Sequence, residues 1–271
     1  MVWLGLQDHD WRDDCKGHVC YDPKKDLVIP QFKAPSHFQR SPLFGAPPMT
    51  RDVLLYFRGD MGKHRETWYS RGIRQKYFRL SHTHEWRKMH NILIGTGAEY
   101  PGDYSMHLAR SKFCLVLPGD GYSGRAEDAI MHGCIPVIVM DNVHAVLEGV
   151  LDWLQFSVRI AEADIERTPE IISGISDAQI LAMQKAITKV WHRFGYMGSP
   201  LHRKVLPNVY RQAESSKDFP SDHHFKPHES YPVRSDALGT ILQWLYSRMA
   251  YARHGSHAEH MAELKRQGEA A

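Results

Sequence analysis

The chain has 271 residues, 42% of them hydrophobic and 24% charged, with a net charge of +3, values ordinary for a globular protein with one large core or two small ones. So slight a charge, with no basic stripe interleaved with aromatics, argues against nucleic acid as a partner, and no run of about 18 apolar residues offers a membrane span. The opening MVWLGLQDHDWRDD lacks a basic region and turns acidic early, so it does not read as a signal peptide.

Residues 1–50 are rich in proline, aromatics and charge, with one short apolar piece from Leu27 to Ile29 closed by Pro30, and read as a connecting segment. Cys15 and Cys20 are spaced for a small disulfide loop in a lumenal compartment, whereas Cys114 and Cys134 lie in apolar, strand-like surroundings where buried free thiols are expected. The Asp8, His9, Asp10 triplet and the group His82, His84 and Glu85 lack the second ligand pair of a structural metal site.

From Asp52 the pattern changes. Val53 to Phe57 reads as a strand ending in Arg58, Gly59 and Asp60, followed by a polar loop and a helix around Tyr69 to Tyr77. Further strands are predicted from Asn91, at Phe113 to Leu117, at Ile135 to Met140 and, briefly, at Phe156 to Ile160. Strands alternating with helical patterns at this spacing imply an α/β fold with a mostly parallel sheet.

The run from Ser111 to Asn142 is the most informative. Phe113, Leu115 and Leu117 form a strand buried on both faces, and Pro118 stops it. Gly119, Gly121, Tyr122, Ser123 and Gly124 then make a turn that permits close backbone approach to a ligand, ahead of a helix from Arg125 to His132 with Gly133 past its end. Arg125 lies in the first turn of that helix, where a cation is unfavourable unless an anion lies opposite or a surface carboxylate pairs with it. The letters G-x-G-x-x-G alone do not make a dinucleotide fingerprint, because the turn is not the one after the domain's first strand with an acidic residue at the end of the next. The same omission, with no G-x-x-x-x-G-K-[ST], disfavours a kinase or dehydrogenase.

Asp177 to Phe194 is predicted as an amphipathic helix, through Ile180, Met183, Ile187, Val190, Trp191 and Phe194. Residues 195–234 show no periodicity and read as an irregular loop. A last helix from Asp236 to Met249 sets Leu238, Ile241, Leu242 and Leu245 on one face, and the tail after His254 is polar. Ligands of open α/β sheets bind beyond the carboxyl ends of the strands. Arg58 and Gly59, the turn to Arg125, Asp141 and Asn142 after the fourth strand, and Arg71 with Arg74 at an (i, i+3) spacing are therefore the candidate anion-binding groups.

Taken in order, FRG (57–59), YSRGIR (69–74), SKFCLVLPGDGYSGR (111–125), EDAIMHGCIPVIVMDN (127–142) and LDWLQFSV (151–158) resemble the exostosin family of inverting glycosyltransferases, above all its plant and algal branch. The resemblance spans about residues 18–195, and KKDLVIPQF (24–32) is similar to the segment that leads into the family's donor-binding domain. It implies a Rossmann-like doubly wound parallel sheet, the C-terminal domain of a GT-B enzyme, over residues 51–195. Residues 1–50 would be a remnant of the N-terminal half, and 196–271 an irregular loop and helix packed back on the domain.

The implied activity is transfer of a sugar from a nucleoside diphosphate donor, expected to be UDP-linked, to a glycan or glycoprotein acceptor, in the Golgi lumen, by a type II membrane protein whose anchor is not in this chain. Carried over by position, Arg125 contacts the diphosphate, and Asp128 stands where many relatives have a ribose-binding Glu. Asp128 is one methylene shorter, so Glu127 is the alternative ribose ligand, and a first-turn carboxylate favouring the helix dipole is the plain structural role for Asp128. No metal or other cofactor is implied, since arginines neutralise the leaving diphosphate. His18 and Asp26 are weak candidates for the general base. As the second half of such an enzyme the chain is expected to bind donor weakly and transfer poorly by itself, and a binding module that stabilises a partner transferase in a homo- or hetero-oligomer is the rival reading.

Overall fold

Runs rich in valine, isoleucine and aromatics form one five-stranded parallel sheet in the computed structural model, which describes residues 26–119, 123–217, 219–220, 223–226 and 235–254. Its strands are β1 (Val53–Arg58), β2 (Ile92–Gly95), β3 (Ser111–Val116), β4 (Ile135–Ile138) and β5 (Val158–Arg159). The order is β2-β1-β3-β4-β5, so the direction of winding reverses between β1 and β3, the place where open α/β sheets bind their ligands. The fold is α/β and Rossmann-like, as expected. Asp8 to Asp10, Cys15, His18, Cys20, Gly121 and Tyr122 lie outside the described residues.

Alternation along the strands divides the core. Leu55, Phe57, Phe113, Leu115 and Val137 enter a large apolar cluster on one face, while Val53, Tyr56 and Cys114 join Leu108, Ala129 and Cys134 in a smaller one on the other. Register pairs Leu55 with both Ile92 and Phe113, and Phe113 with Ile135, so buried side chains run in rows across the sheet. The smaller cluster corrects one expectation. Cys114 and Cys134 are not free thiols but a disulfide with Cα atoms 5.9 Å apart. Parallel pairing sets Cys114 beside Pro136, which brings Cys134, two residues earlier, within bridging reach. The bond closes a loop holding the glycine turn and α4 (Arg125–Met131), and loops of this length gain about 3 kcal/mol from such a link.

The helices α1 (Ile73–Thr83), α2 (Trp86–His90), α3 (Tyr104–Ala109), α5 (Thr168–Ser173) and α6 (Asp177–Val190) flank the sheet. α1 starts later than its pattern predicts, because Ser70 and Arg71 adopt left-handed φ values of 53° and 56°; Ser70 Oγ is instead spent on the Pro118 carbonyl, 2.7 Å away. α6 gives way at Trp191 to a 3-10 turn, in which Trp191 and Phe194 are buried as packing residues. Gly133 has φ +66° past the end of α4, and a side chain there would meet the Phe225 ring.

Two further expectations are corrected beyond residue 195. Instead of an irregular loop there, α7 (Pro200–Ser215) begins at an N-cap Ser199 and buries His202, Leu206 and Val209 at i, i+4 and i+7. The stripe is hidden in the sequence because its first member is a histidine and Pro207 sits inside the helix. α8 (Ala237–His254) turns Ala237, Thr240, Ile241 and Trp244 inward, whereas Leu238, Leu242 and Leu245 are exposed. Ile241 therefore does not share their face. The leading segment also does more than connect: Leu27, Val28, Phe38, Leu43 and Phe44 are buried in the large cluster, and Leu147 N–H donates to the Val28 carbonyl at 2.8 Å. No helix of the described residues is long and apolar enough to cross a membrane.

Candidate functional site

Beyond the ends of β1 and β3, two arginines converge on one aromatic ring. Tyr104 opens α3 behind the N-cap Asp103, whose Oδ1 accepts from Ser105 N–H at 2.9 Å. The guanidinium carbons of Arg58 and Arg125 each lie 5.0 Å from the centre of the Tyr104 ring, and that of Arg125 lies 5.4 Å from the Phe57 ring. Arg58 is steadied by donating to the carbonyls of Tyr100 (3.0 Å) and Gly102 (2.9 Å). Arg125 donates to the Tyr104 hydroxyl, and Gly59 makes room for it, since a Cβ there would stand 3.0 Å from Arg125 Nη2. Two like charges gathered on one ring make this neighbourhood the candidate for receiving negative charge.

The chain of contacts continues. The Tyr104 hydroxyl donates to Asp128 Oδ2 at 3.2 Å, while Asp128 Oδ1 pairs with the Lys33 ammonium, which also donates to the Gly124 carbonyl at 2.6 Å. Glu127 is buried next to this chain, with Oε1 accepting the Gln31 N–H at 3.1 Å. Burial pushes the Glu127 carboxyl up to about 7, against the pull of Lys33 and of the Gln31 hydrogen bond. Burial also raises the Tyr104 phenol, helped by Asp128. For Arg125 burial works against the charge, yet Tyr104 and Asp128 hold its pKa above the ordinary value. The buried His132, lowered to about 4 by desolvation, joins Ser105 Oγ to the Asp128 carbonyl at 2.7 Å each and holds α3 against α4.

The other candidates fall elsewhere on the same edge. Arg74 is buried, donating to the carbonyls of Pro118 (2.8 Å) and Asp60 (3.0 Å) and to the Tyr69 hydroxyl (2.8 Å); with Ser70 it props the start of the glycine turn. Arg71, thrown out of the helix by its left-handed backbone, does not share a face with Arg74. It lies at the end of β4, 2.9 Å from Glu162 and donating to the Asp141 carbonyl at 3.0 Å. Asp141 in turn accepts from Glu162 N–H at 3.2 Å, and Asn142 turns the chain there with φ 57°. Gly119 follows Pro118 at the end of β3, and Ser123 lines a small cavity with Ala126, Ile138 and Val143. Arg58, Gly59, Gly124, Arg125, Glu127 and Asp128 thus form one neighbourhood, and Arg71, Asp141 and Asn142 another. Lys33 and Tyr104 escaped the sequence reading. Lys33 stands one residue past the motif that leads into the domain, and an aromatic after an N-cap carries no signal of its own.

A cavity of about 990 Å³ lies apart from these groups, between the outer side of α8 and the start of α7. Its lining is mostly apolar, with Leu238, Leu242, Leu245 and Met249 beside Arg203 and Asp236.

Comparison with known proteins gives the family of the chain. The chain is 29% identical over 178 residues to a probable beta-1,4-xylosyltransferase, IRX10, of Arabidopsis thaliana, covering 64% of this chain and 40% of that protein. It is 28% identical over 213 residues to a probable glucuronosyltransferase of Oryza sativa subsp. japonica, covering 74% and 48%. A second rice probable glucuronosyltransferase is 31% identical over 179 residues, covering 64% and 38%. The chain therefore spans less than half the length of these relatives. The Exostosin GT47 domain matches residues 17–175, which takes in β1 to β5 and every candidate residue, and the chain belongs to that family.

Proposed function

We propose that this chain is the donor-binding part of an inverting glycosyltransferase that takes a UDP-linked sugar, of the pentosyl or glucuronosyl kind its relatives are named for, and delivers it to a growing glycan. The observation that carries the reading is the convergence of Arg58 and Arg125 on Tyr104 at the sheet's switch point. In the reaction an acceptor hydroxyl gives up its proton to a general base and attacks the anomeric carbon from the face opposite the diphosphate. The bond from that carbon to the diphosphate oxygen breaks, and the electron pair leaves with the diphosphate. Arg58 and Arg125 act on that step by neutralising the charge that grows on the leaving group, a role that fixed guanidinium groups fill without a metal ion.

The Cys114–Cys134 disulfide supports a working place in the oxidising secretory pathway, such as the Golgi lumen. A second reading, a donor-binding module that serves a partner transferase, is favoured by one observation: both Asp128 oxygens are engaged inside the protein, by Lys33 and Tyr104, rather than open to a ribose. Calorimetry with UDP tests the proposal. Micromolar to millimolar binding is expected for the wild type, with a loss of about 30-fold or more in Arg125→Ala, since a hydrogen bond to a charged group contributes about 1.5–3 kcal/mol. Equal affinity in both proteins removes Arg125 from the site. Turnover with UDP-xylose or UDP-glucuronate and a xylan oligosaccharide decides between enzyme and module.

A further inference from the structure

The Lys33 ammonium reaches the strand-end site from the segment that precedes β1, whereas Arg58 ends β1 and Arg125 opens α4. It reaches across 95 residues of sequence to Asp128, with only 12% of each side chain exposed, and a lysine so enclosed needs a reason beyond solubility. Among the described side chains that touch Tyr104 or Asp128, the cations Lys33, Arg58 and Arg125 outnumber the Asp128 carboxylate, while the neighbouring Glu127 is buried. The neighbourhood is cationic even with the Lys33–Asp128 pair intact. A nucleotide sugar brings about two negative charges and the nucleoside diphosphate left after transfer about three at neutral pH, more than the two arginines offset alone.

We propose that Lys33 is a donor-binding residue that changes partners: it is paired with Asp128 while the site is empty and moves to the diphosphate when a nucleotide sugar enters, leaving Asp128 open to the ribose hydroxyls. The inference rests on the donor-binding reading above and deepens it. Three features make the exchange feasible. Lys33 Nζ already sits 2.6 Å from the carbonyl of Gly124, the last residue of the glycine turn. Its four-carbon stem lets the ammonium swing without backbone movement. Asp128 keeps a second partner, the Tyr104 hydroxyl at 3.2 Å, so the carboxylate is not stranded when the lysine leaves. The exchange also removes the objection that Asp128 is occupied.

Calorimetry on the 271-residue chain with UDP, uridine and inorganic pyrophosphate tests it. Lys33→Met is expected to weaken UDP and pyrophosphate by about tenfold or more, and uridine by less than about twofold, because the lost contact is to phosphate. Lys33→Arg recovers most of the loss. Asp128→Asn releases the lysine and tightens pyrophosphate, about threefold. Since Lys33→Met leaves an enclosed carboxylate without its cation, the double variant Lys33→Met/Asp128→Asn is the control. If it binds UDP as the wild type does, Lys33 is only a structural counter-charge and the inference is overturned, as it is if folded Lys33→Met keeps full affinity. Wild type that binds pyrophosphate but not UDP defeats the nucleotide reading and leaves the lysine still tested; wild type that binds neither overturns both.

Discussion

Two stretches of one sheet edge use the same residue types to opposite ends. At the ends of β1 and β3, Lys33 pairs with the Asp128 carboxylate, and two further cations, Arg58 and Arg125, lie over the Tyr104 ring. At the end of β4, one arginine, Arg71, pairs with the Glu162 carboxylate and donates to the Asp141 backbone carbonyl, while the Asp141 carboxylate accepts from Glu162 N–H. The first neighbourhood holds positive charge in excess and in partial burial, where it acts at a higher effective strength than in water. The second is closed on itself, and its ion pair and backbone hydrogen bonds fasten the 3-10 turn Glu162–Arg167 to the end of β4. An arginine at a strand end is therefore not in itself a sign of anion binding. The local balance of charge decides.

The largest expected effect sharpens this contrast through the disulfide, which closes the crossover carrying Arg125 and Asp128 and has no counterpart at the end of β4. Replacing Cys114 and Cys134 together by alanine is expected to cost about 3 kcal/mol, or roughly 6–12 °C in Tm for a domain of this size. UDP affinity is expected to fall with it, as α4 loses its tether. Differential scanning calorimetry with and without UDP checks both. An unchanged Tm means that packing of the smaller core alone holds the crossover.

The next effect turns on Glu127, whose folded pKa of about 7 lies above the ordinary 4.5. For a carboxyl raised by burial the folded state holds the proton longer than the unfolded one, so between pH 4.5 and 7 stability falls as pH rises, and it levels off above 7. Glu127→Gln removes that slope. The difference in stability between wild type and variant is expected to shift by about 1–3 kcal/mol between pH 5 and pH 7.5, with the wild type gaining at the acid end. His132, lowered from 6.5 to about 4, adds a slope of the opposite sign below pH 6.5; it is present in both proteins and cancels in the difference. Urea midpoints at the two pH values give the measurement. A parallel pH dependence shows that Glu127 is ionised in the folded protein throughout, and the charge excess at the first neighbourhood is then smaller by one.

Much of the scaffold was legible because it obeys local rules. The all-apolar run at β3 announced a strand buried on both faces, and Gly133, needed at φ +66°, marked the end of α4. What was hidden depends on residues distant in sequence. The disulfide joins cysteines whose proximity follows only from the parallel register of β3 and β4, and α7 hides its inward face behind His202, which is 1% exposed. The site was half legible. Arg58, Gly59, Arg125 and Asp128 were found from their positions after strands, whereas Lys33 and Tyr104 join them through contacts 95 and 24 residues long. Arg71 was grouped with Arg74 on helical spacing, and the left-handed turn at Ser70 and Arg71 undid the premise.

The smallest expected effect is the most direct test of the contrast. Arg71→Ala removes a cation from the same edge of the same sheet, so a general attraction between phosphate and positive charge would weaken UDP binding there as well. The ion pair with Glu162 is only partly shielded, with 28% and 21% of the two side chains exposed, and such pairs contribute about 1 kcal/mol or less. The expected loss is therefore about 2–4 °C in Tm, with UDP affinity within about twofold of wild type, against the far larger loss in Arg125→Ala. Any residual influence of Arg71 on binding acts through space, and is expected to vanish as salt is raised to about 0.5 M. If Arg71→Ala instead weakens UDP as strongly as Arg125→Ala at that salt, the diphosphate lies between the two groups, and the ion pair at the end of β4 opens to admit it.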